Sequence, residues 1–279
     1  MTGEPWTLER IEVSRPDLAP LARLHRVLDE PTQRFARRSA PLHPQFTGPP
    51  AIHWLAGRSL FDASNRAALA PAIAALFAEL ARTAAAAFPD TRSAVDEILA
   101  VTARPGFPWT ARIVAFRDLP EPGAVPHPEL FRFLLLRAVA LPASHLPSSL
   151  SPPHAERWLR TTCPFCGLPA AAAVAGQGSG RTLVCVLCGG RWTREGLGCM
   201  ACGEERRETQ LVLAARDLGP ASLEACATCR FAVKVFAPGD VPDAAPLALE
   251  VLTVHLDVLA RSDDLSRDAT ALAAVFPPA

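Results

Sequence analysis

Leu18, Leu21, Leu24, Val27 and Leu28 recur at steps of three and four residues, as do Leu69, Ile73, Leu76, Phe77 and Leu80. That period places apolar side chains along one stripe of an α-helix, so both segments are expected to be core helices. Ser64 or Asn65 is the expected N-cap of the second, and Asp90 or Thr91 that of a following helix in which Val95, Ile98 and Leu99 share a face. The apolar run from Phe131 to Ala140 reads as another helix, interrupted by Arg132 and Arg137 and too short to span a membrane. Prolines punctuate this half, which therefore reads as helices separated by proline. The Pro/Ser-rich stretch from Leu141 to Arg157 reads as an interdomain linker or a surface crossing.

From Arg160 onwards the helical period disappears. Short runs such as Thr182 to Val186 and Leu211 to Ala214 predict strands, and cysteine and glycine become frequent. After Val241 the pattern turns helical again, with Leu247, Val251, Val254 and Val258 on one face. This last helix is expected to pack back on the first domain or to cover the cysteine region.

All eight cysteines lie in four CxxC pairs: Cys163/Cys166, Cys185/Cys188, Cys199/Cys202 and Cys226/Cys229. A two-residue spacing lets both thiolates of a tight turn face one ion while nearby backbone N–H groups donate to the sulfurs. Gly167, Gly189 and Gly203 each follow the second cysteine of a pair, where a positive φ is often needed. Arg230 stands there in the fourth pair, predicting a looser turn. Sequential pairing makes Cys163, Cys166, Cys185 and Cys188 one tetrathiolate site and Cys199, Cys202, Cys226 and Cys229 the other. A cross-brace, first pair with third and second with fourth, remains open. Iron and zinc suit four thiolates equally, so the expected cofactors are two ions per chain, iron or zinc.

The fold class that follows is multidomain, α plus small β. An N-terminal all-α helical domain occupies 1–158, a first rubredoxin-like or zinc-ribbon module 159–198, a second 199–238, and a C-terminal helix packing on the rest 239–279. With 279 residues, 49% of them hydrophobic, the chain has enough apolar material for a core. Disulfides suit secreted chains, whereas the start, MTGEPWTLERIEVSRPD, lacks the basic and apolar segments of a secretory signal, so the expected location is cytoplasmic. A thioredoxin-like site would have one CxxC at a helix start. Closed four-cysteine sites leave no position for a substrate, and no HExxH or GxSxG motif accompanies them.

Twenty-eight basic residues balance twenty-eight acidic ones, which argues against nucleic acid as a partner. From Cys163 to Phe236, eight basic residues face six acidic ones, a surplus too small for a dedicated nucleic-acid stripe. GQGSG, from Gly176 to Gly180, lacks the Lys-Ser/Thr of a phosphate loop and reads as a hairpin tip inside the first site. His25, His43, His53, His127, His145, His154 and His255 are scattered and read as surface or core residues. Trp192 and Phe231 read as hydrophobic plugs beside the cysteine turns.

CPFCG, LVCVLCGGRW, CMAC and CATCRFAVK, in that order and spacing, resemble the formate dehydrogenase accessory protein family. The likeness covers roughly Cys163 to Lys234, and the helical half only in general character. Trp192, four residues after the second pair, and Lys234, five after the last and the chain's sole lysine, both match the family pattern. Arg230 replaces a usual glycine, Ala232 a tyrosine, and Gly196 an arginine, for which Arg194 is the nearest substitute. The resemblance implies a cytoplasmic, non-enzymatic maturation factor that binds the formate dehydrogenase catalytic subunit, with Trp192, Arg194 and Lys234 as partner-binding candidates and no membrane insertion. It also implies iron in rubredoxin-like sites, with zinc as the other occupant. Two other readings are a zinc-ribbon nucleic-acid or transcription-associated protein and a rubredoxin-like electron carrier.

Overall fold

The structure is a computed structural model that describes residues 6–38, 44–46, 48–116, 123–153, 158, 160, 162–168, 170, 172–176, 180–185, 187–196, 198–213, 221–237 and 246–265. The helical body comprises α1 (Leu8–Ser14), α2 (Ala19–Arg38), α3 (Pro50–Leu55), α4 (Ala63–Ala87), α5 (Arg92–Thr102), α6 (Trp109–Val114) and α7 (Pro128–Ser149). Ile73, Leu76, Phe77 and Leu80 bury the expected stripe of α4. The N-cap of α4 is Asp62, not Ser64 or Asn65: its carboxylate accepts from the Asn65 backbone N–H at 3.0 Å. Asn65 turns inward instead, donating from Nδ2 to the Leu60 carbonyl. Thr91 does precede α5, without a capping bond from its side chain.

Proline does not separate these helices as the sequence suggested. Pro31, Pro71, Pro142 and Pro147 lie inside α2, α4 and α7. The first part of the expected linker from Leu141 to Arg157 is in fact the end of α7, which continues to Ser149. Each internal proline removes one backbone bond and costs about 3 kcal/mol. Against this, Phe131, Leu134, Leu135, Ala138, Val139, Pro142, Ala143 and Leu146 form one unbroken buried stripe. Burial of a single large apolar side chain contributes roughly 1.5–3 kcal/mol, so the stripe outweighs the prolines.

At 25 and 22 residues, α4 and α7 are long and apolar enough to cross a membrane by length and composition. The short run expected at Phe131 was therefore underestimated. The apolarity is accounted for by packing of the two helices on each other, with Phe77 and Phe131 ring centroids 5.2 Å apart. Arg137 in α7 reaches Asp29 in α2, so the charge that broke the run in sequence is paired in the fold.

Six strands follow: β1 (Ala172–Ala175), β2 (Arg181–Val184), β3 (Arg191–Arg194), β4 (Gln210–Leu213), β5 (Ala221–Cys226) and β6 (Ala232–Phe236). They form one sheet in the order β3-β2-β1-β6-β5-β4. Each cysteine module supplies three antiparallel strands in the same order, and a parallel pairing of β1 with β6 joins them. Gly176 and Gly180 close the β1–β2 hairpin, with the Gly176 N–H donating to the Gly180 carbonyl at 3.0 Å. A Cβ on Gly176 would stand 2.5 Å from that oxygen, so only glycine fits there.

The C-terminal segment forms two helices, α8 (Pro246–Leu252) and α9 (Val254–Ser262), and it packs on both halves of the molecule. Ala248, Val251 and Leu252 meet Leu8, Ile11, Leu18 and Ala22 of the N-terminal region, while Leu256, Ala260 and Leu265 cover the sheet. Val258, expected on the buried face, is exposed, because the buried positions Ala248, Leu252, Leu256 and Ala260 run along a different face of α8 and α9.

Along β6, Val233 and Val235 face the cysteine side while Ala232 and Phe236 face α8 and α9. Lys234 shares the latter direction by the two-residue alternation of a strand. It is fully buried and donates to Glu250 of α8 at 2.8 Å and Asp257 of α9 at 2.9 Å. One ammonium thus ties both C-terminal helices to the sheet. Removing one partner of a buried ion pair leaves the other charge uncompensated, at a cost of roughly 3–5 kcal/mol. Lys234→Met is therefore expected to lower stability to chemical denaturant by about 3 kcal/mol and to accelerate amide exchange in 246–265; an unchanged unfolding midpoint would refute this role.

Candidate metal centres

The four CxxC turns share one backbone design. The residue after each second cysteine has a left-handed φ: 77° at Gly167, 72° at Gly189, 75° at Gly203 and 63° at Arg230. Its N–H donates to the carbonyl of the first cysteine at 2.8, 2.9, 3.0 and 2.8 Å respectively. The first cysteine's own N–H then donates to the residue two beyond the second cysteine: Leu168, Gly190, Glu204 and Phe231. The fourth turn is therefore no looser than the others. Arg230 accepts a conformation that normally favours glycine, and its guanidinium donates to the Asp263 and Asp264 carbonyls just beyond α9. A cation suits a helix C-terminus, which gives arginine a purpose where the other turns have glycine.

These turns bring the thiols together sequentially, not as a cross-brace. Cys163, Cys166, Cys185 and Cys188 form one group and Cys199, Cys202, Cys226 and Cys229 the other, with all sulfurs of a group within 4.8 Å of one another. Sγ–Sγ distances are 3.5 Å for Cys163–Cys188, 3.4 Å for Cys166–Cys185, 3.5 Å for Cys199–Cys229 and 3.8 Å for Cys202–Cys226. A disulfide requires about 2.05 Å. A tetrahedron with metal–sulfur bonds of about 2.3 Å has edges of about 3.8 Å, so each group fits one ion. Backbone N–H groups of Gly190 and Ala201 point at the sulfurs of Cys188 and Cys199 at 3.4 and 3.3 Å. Such donors spread thiolate charge.

Electrostatics makes the same case. Burial, then contact with Cys166 and Cys185, pushes the Cys163 thiol well up; Cys188 is also raised, first by Cys163, whereas hydrogen bonding from Cys163 and its neighbours pulls Cys185 well down. In the second group, burial raises Cys199 to about 11 and raises Cys229 further. At Cys226 burial opposes ionisation, but the Cys229 and Thr228 N–H groups together with the Cys199 and Cys202 thiols outweigh it and the net shift is downward. Four adjacent sulfurs resist simultaneous ionisation by mutual repulsion. A bound cation removes that conflict, and an ion held in this way has affinity that falls as acid protonates its ligands.

Phe165, inside the first turn, is the hinge between halves. The Trp54 indole N–H donates to the Pro164 carbonyl at 3.0 Å, and the Phe61 N–H donates to the Phe165 carbonyl at 2.7 Å. The Phe165 ring stands edge-on to Trp54, and a Cβ on Gly190 would lie 2.5 Å from it. The second group is held across its two turns by Glu204, which accepts from Arg206 and from the Thr228 hydroxyl. None of these supports was singled out in the sequence, although the Gly189-Gly190 doublet and the aromatic inside CPFCG were available signals.

Trp192 and Phe231 are buried beside the cysteines as expected of plugs. Trp192 and Lys234 therefore present no surface to a partner in this fold. Arg194 is half-buried and donates to the Cys199 carbonyl at 3.4 Å, linking β3 to the second group. His53 is buried, and His25 is half-buried, held down to about 4 by burial and by Arg137; His43 and His154 lie outside the described residues.

A helical body bearing two fused four-cysteine ribbons defines the structural class. No protein-family model matches the chain. It is similar to the protein FdhE homolog of Stutzerimonas stutzeri (strain A1501), with 33% identity over 118 residues, 41% of this chain. The matched stretch spans 38% of that relative's length. The fold is also that of the FdhE protein from Pseudomonas aeruginosa, seen in its crystal structure, with a TM-score of 0.66 and 19% identity over 94% of this chain and 91% of that one. The sequence likeness agrees with the resemblance to formate dehydrogenase accessory proteins carried by the cysteine motifs, and the structural one shows a shared fold that includes the helices.

All four sulfurs of the first group are buried, whereas Cys202 of the second is partly exposed. A chelator is expected to empty the second group first, and iodoacetamide to label Cys202 before any other cysteine, as read by peptide mass mapping. First labelling within Cys163 to Cys188 would contradict the assigned burial.

Proposed function

We propose that the chain is a non-enzymatic maturation factor, acting in the cytoplasm, that binds the catalytic subunit of formate dehydrogenase and supports its activation or assembly. All eight cysteines serve as ligands in this reading, holding two ions per chain, iron or zinc. The observation that carries it is the pair of closed four-cysteine groups, in the order and spacing of the accessory family, within a fold shared with the FdhE crystal structure. Closed tetrathiolate sites favour scaffolding over hydrolysis, because a catalytic metal keeps a coordination position open.

The two groups brace one continuous sheet, and the sheet is clamped to the helical body through Pro164 and Phe165. A rigid surface spanning both parts is suited to docking on a folded client, since little ordering entropy is then lost on binding. Loss of one ion would soften the distal ribbon and with it any surface that ribbon supports. In a pull-down, the wild-type chain is expected to retain the formate dehydrogenase catalytic subunit, and Cys199→Ser to retain roughly tenfold less. Failure of the wild-type protein to retain the subunit would defeat the reading.

A further inference from the structure

Strand β3 runs from one cysteine group to the other. It starts next to Gly190, whose N–H donates to the Cys188 sulfur at 3.4 Å. Trp192 in its middle is buried beside the cysteines, and Arg194 at its end donates from Nη1 to the Cys199 carbonyl at 3.4 Å. A side chain of the first module thus reaches the leading ligand of the second group.

The charges nearby leave Arg194 only one strong counter-charge. It stands directly opposite Arg181 in the β2–β3 register, where like charges repel. Arg181 is offset by Glu224 at 2.5 Å. Among the described residues Arg194 forms no ion pair, although it is half-buried, where an uncompensated cation is costly. Burial weakens its hold on its proton, and Cys199 restores that hold more than the exposed Glu205 does. Four thiolates around one divalent cation keep a surplus of negative charge, which is what Arg194 otherwise lacks. The first group is governed differently: burial, neighbouring thiols and one backbone N–H act on Cys163, Cys185 and Cys188.

From these contacts we infer that Arg194 is a positioning residue for the second metal centre, which rests on the reading of both cysteine groups as ion sites. It holds the Cys199 carbonyl and offsets the charge of the loaded tetrathiolate. A strand whose place is set by the first centre thereby sets the affinity of the second for a divalent cation. Outer contacts that orient a ligand are typically worth about 10–100-fold in metal affinity. One half-buried guanidinium belongs at the lower end of that range, because water screens part of its field.

Chelator titration of the zinc-loaded, full-length chain, followed by iodoacetamide labelling and peptide mass mapping, reads each group separately. Arg194→Gln is expected to release the second ion at about tenfold lower chelator concentration, while the first group keeps its wild-type profile. Arg194→Lys retains the charge and is expected to recover most of the loss. With iron loaded in place of zinc, Arg194→Gln is expected to lower the midpoint potential of the second centre by about 59 mV, the same tenfold for one electron. A neighbouring cation favours the more negative, reduced state, whereas a merely structural contact would leave the potential unmoved. Unchanged release from the second group, an equal shift in both groups, an unmoved potential, or Arg194→Lys no better than Arg194→Gln would overturn this role. A wild-type chain that holds no ion in the second group would defeat the metal reading as well, whereas a loaded wild type with an indifferent Arg194→Gln variant would overturn the role of Arg194 alone.

Discussion

Mutual repulsion among gathered sulfurs is the constraint on which this molecule depends. Each ribbon holds four thiols within 4.8 Å, and seven of the eight are buried. Such groups are stable neither as four thiolates nor as an ordinary apolar core. A single divalent cation converts the conflict into attraction, and structural zinc sites of this kind contribute an apparent 10–16 kcal/mol or so. Whole domains are stable by only about 5–15 kcal/mol, so the ions would dominate the stability of strands of four to six residues.

The rest of the architecture relays that order outward. The left-handed residue after each pair fixes the direction in which the next strand leaves, and the parallel contact of β1 with β6 fuses two ribbons into one sheet. Phe165 and Pro164 fasten the first turn to α3 and to Leu60 and Phe61, which lead into α4. On the opposite side, Lys234 and Arg230 fasten the sheet and the last turn to α8, α9 and the residues just past them. The ribbons are thus clasped between the helical body and the C-terminal helices.

Much of this was legible in the residues. Ligand spacing is a local property, so the cysteine grouping, the hairpin at Gly176 and the strands at Thr182 and Leu211 could be read directly. The multidomain α plus small β class followed from the change of period near Arg160. What escaped depended on distance. The extent of α7 was hidden because Pro142 and Pro147 signal a break locally, while the stripe through Leu146 that overrides them is rewarded only by tertiary packing. Lys234 gave no hint of its two carboxylate partners because they lie 16 and 23 residues away on different helices. Arg230 looked like a defect in a glycine position until the end of α9 was found beneath its guanidinium.

X-ray absorption at the metal edge, on full-length protein purified from its own host and paired with elemental analysis, probes the tetrathiolate claim most directly. Two ions per chain, each surrounded by four sulfurs at about 2.3 Å, is the predicted result. Nitrogen or oxygen ligands in either shell, or a fully folded chain carrying no metal, would contradict it.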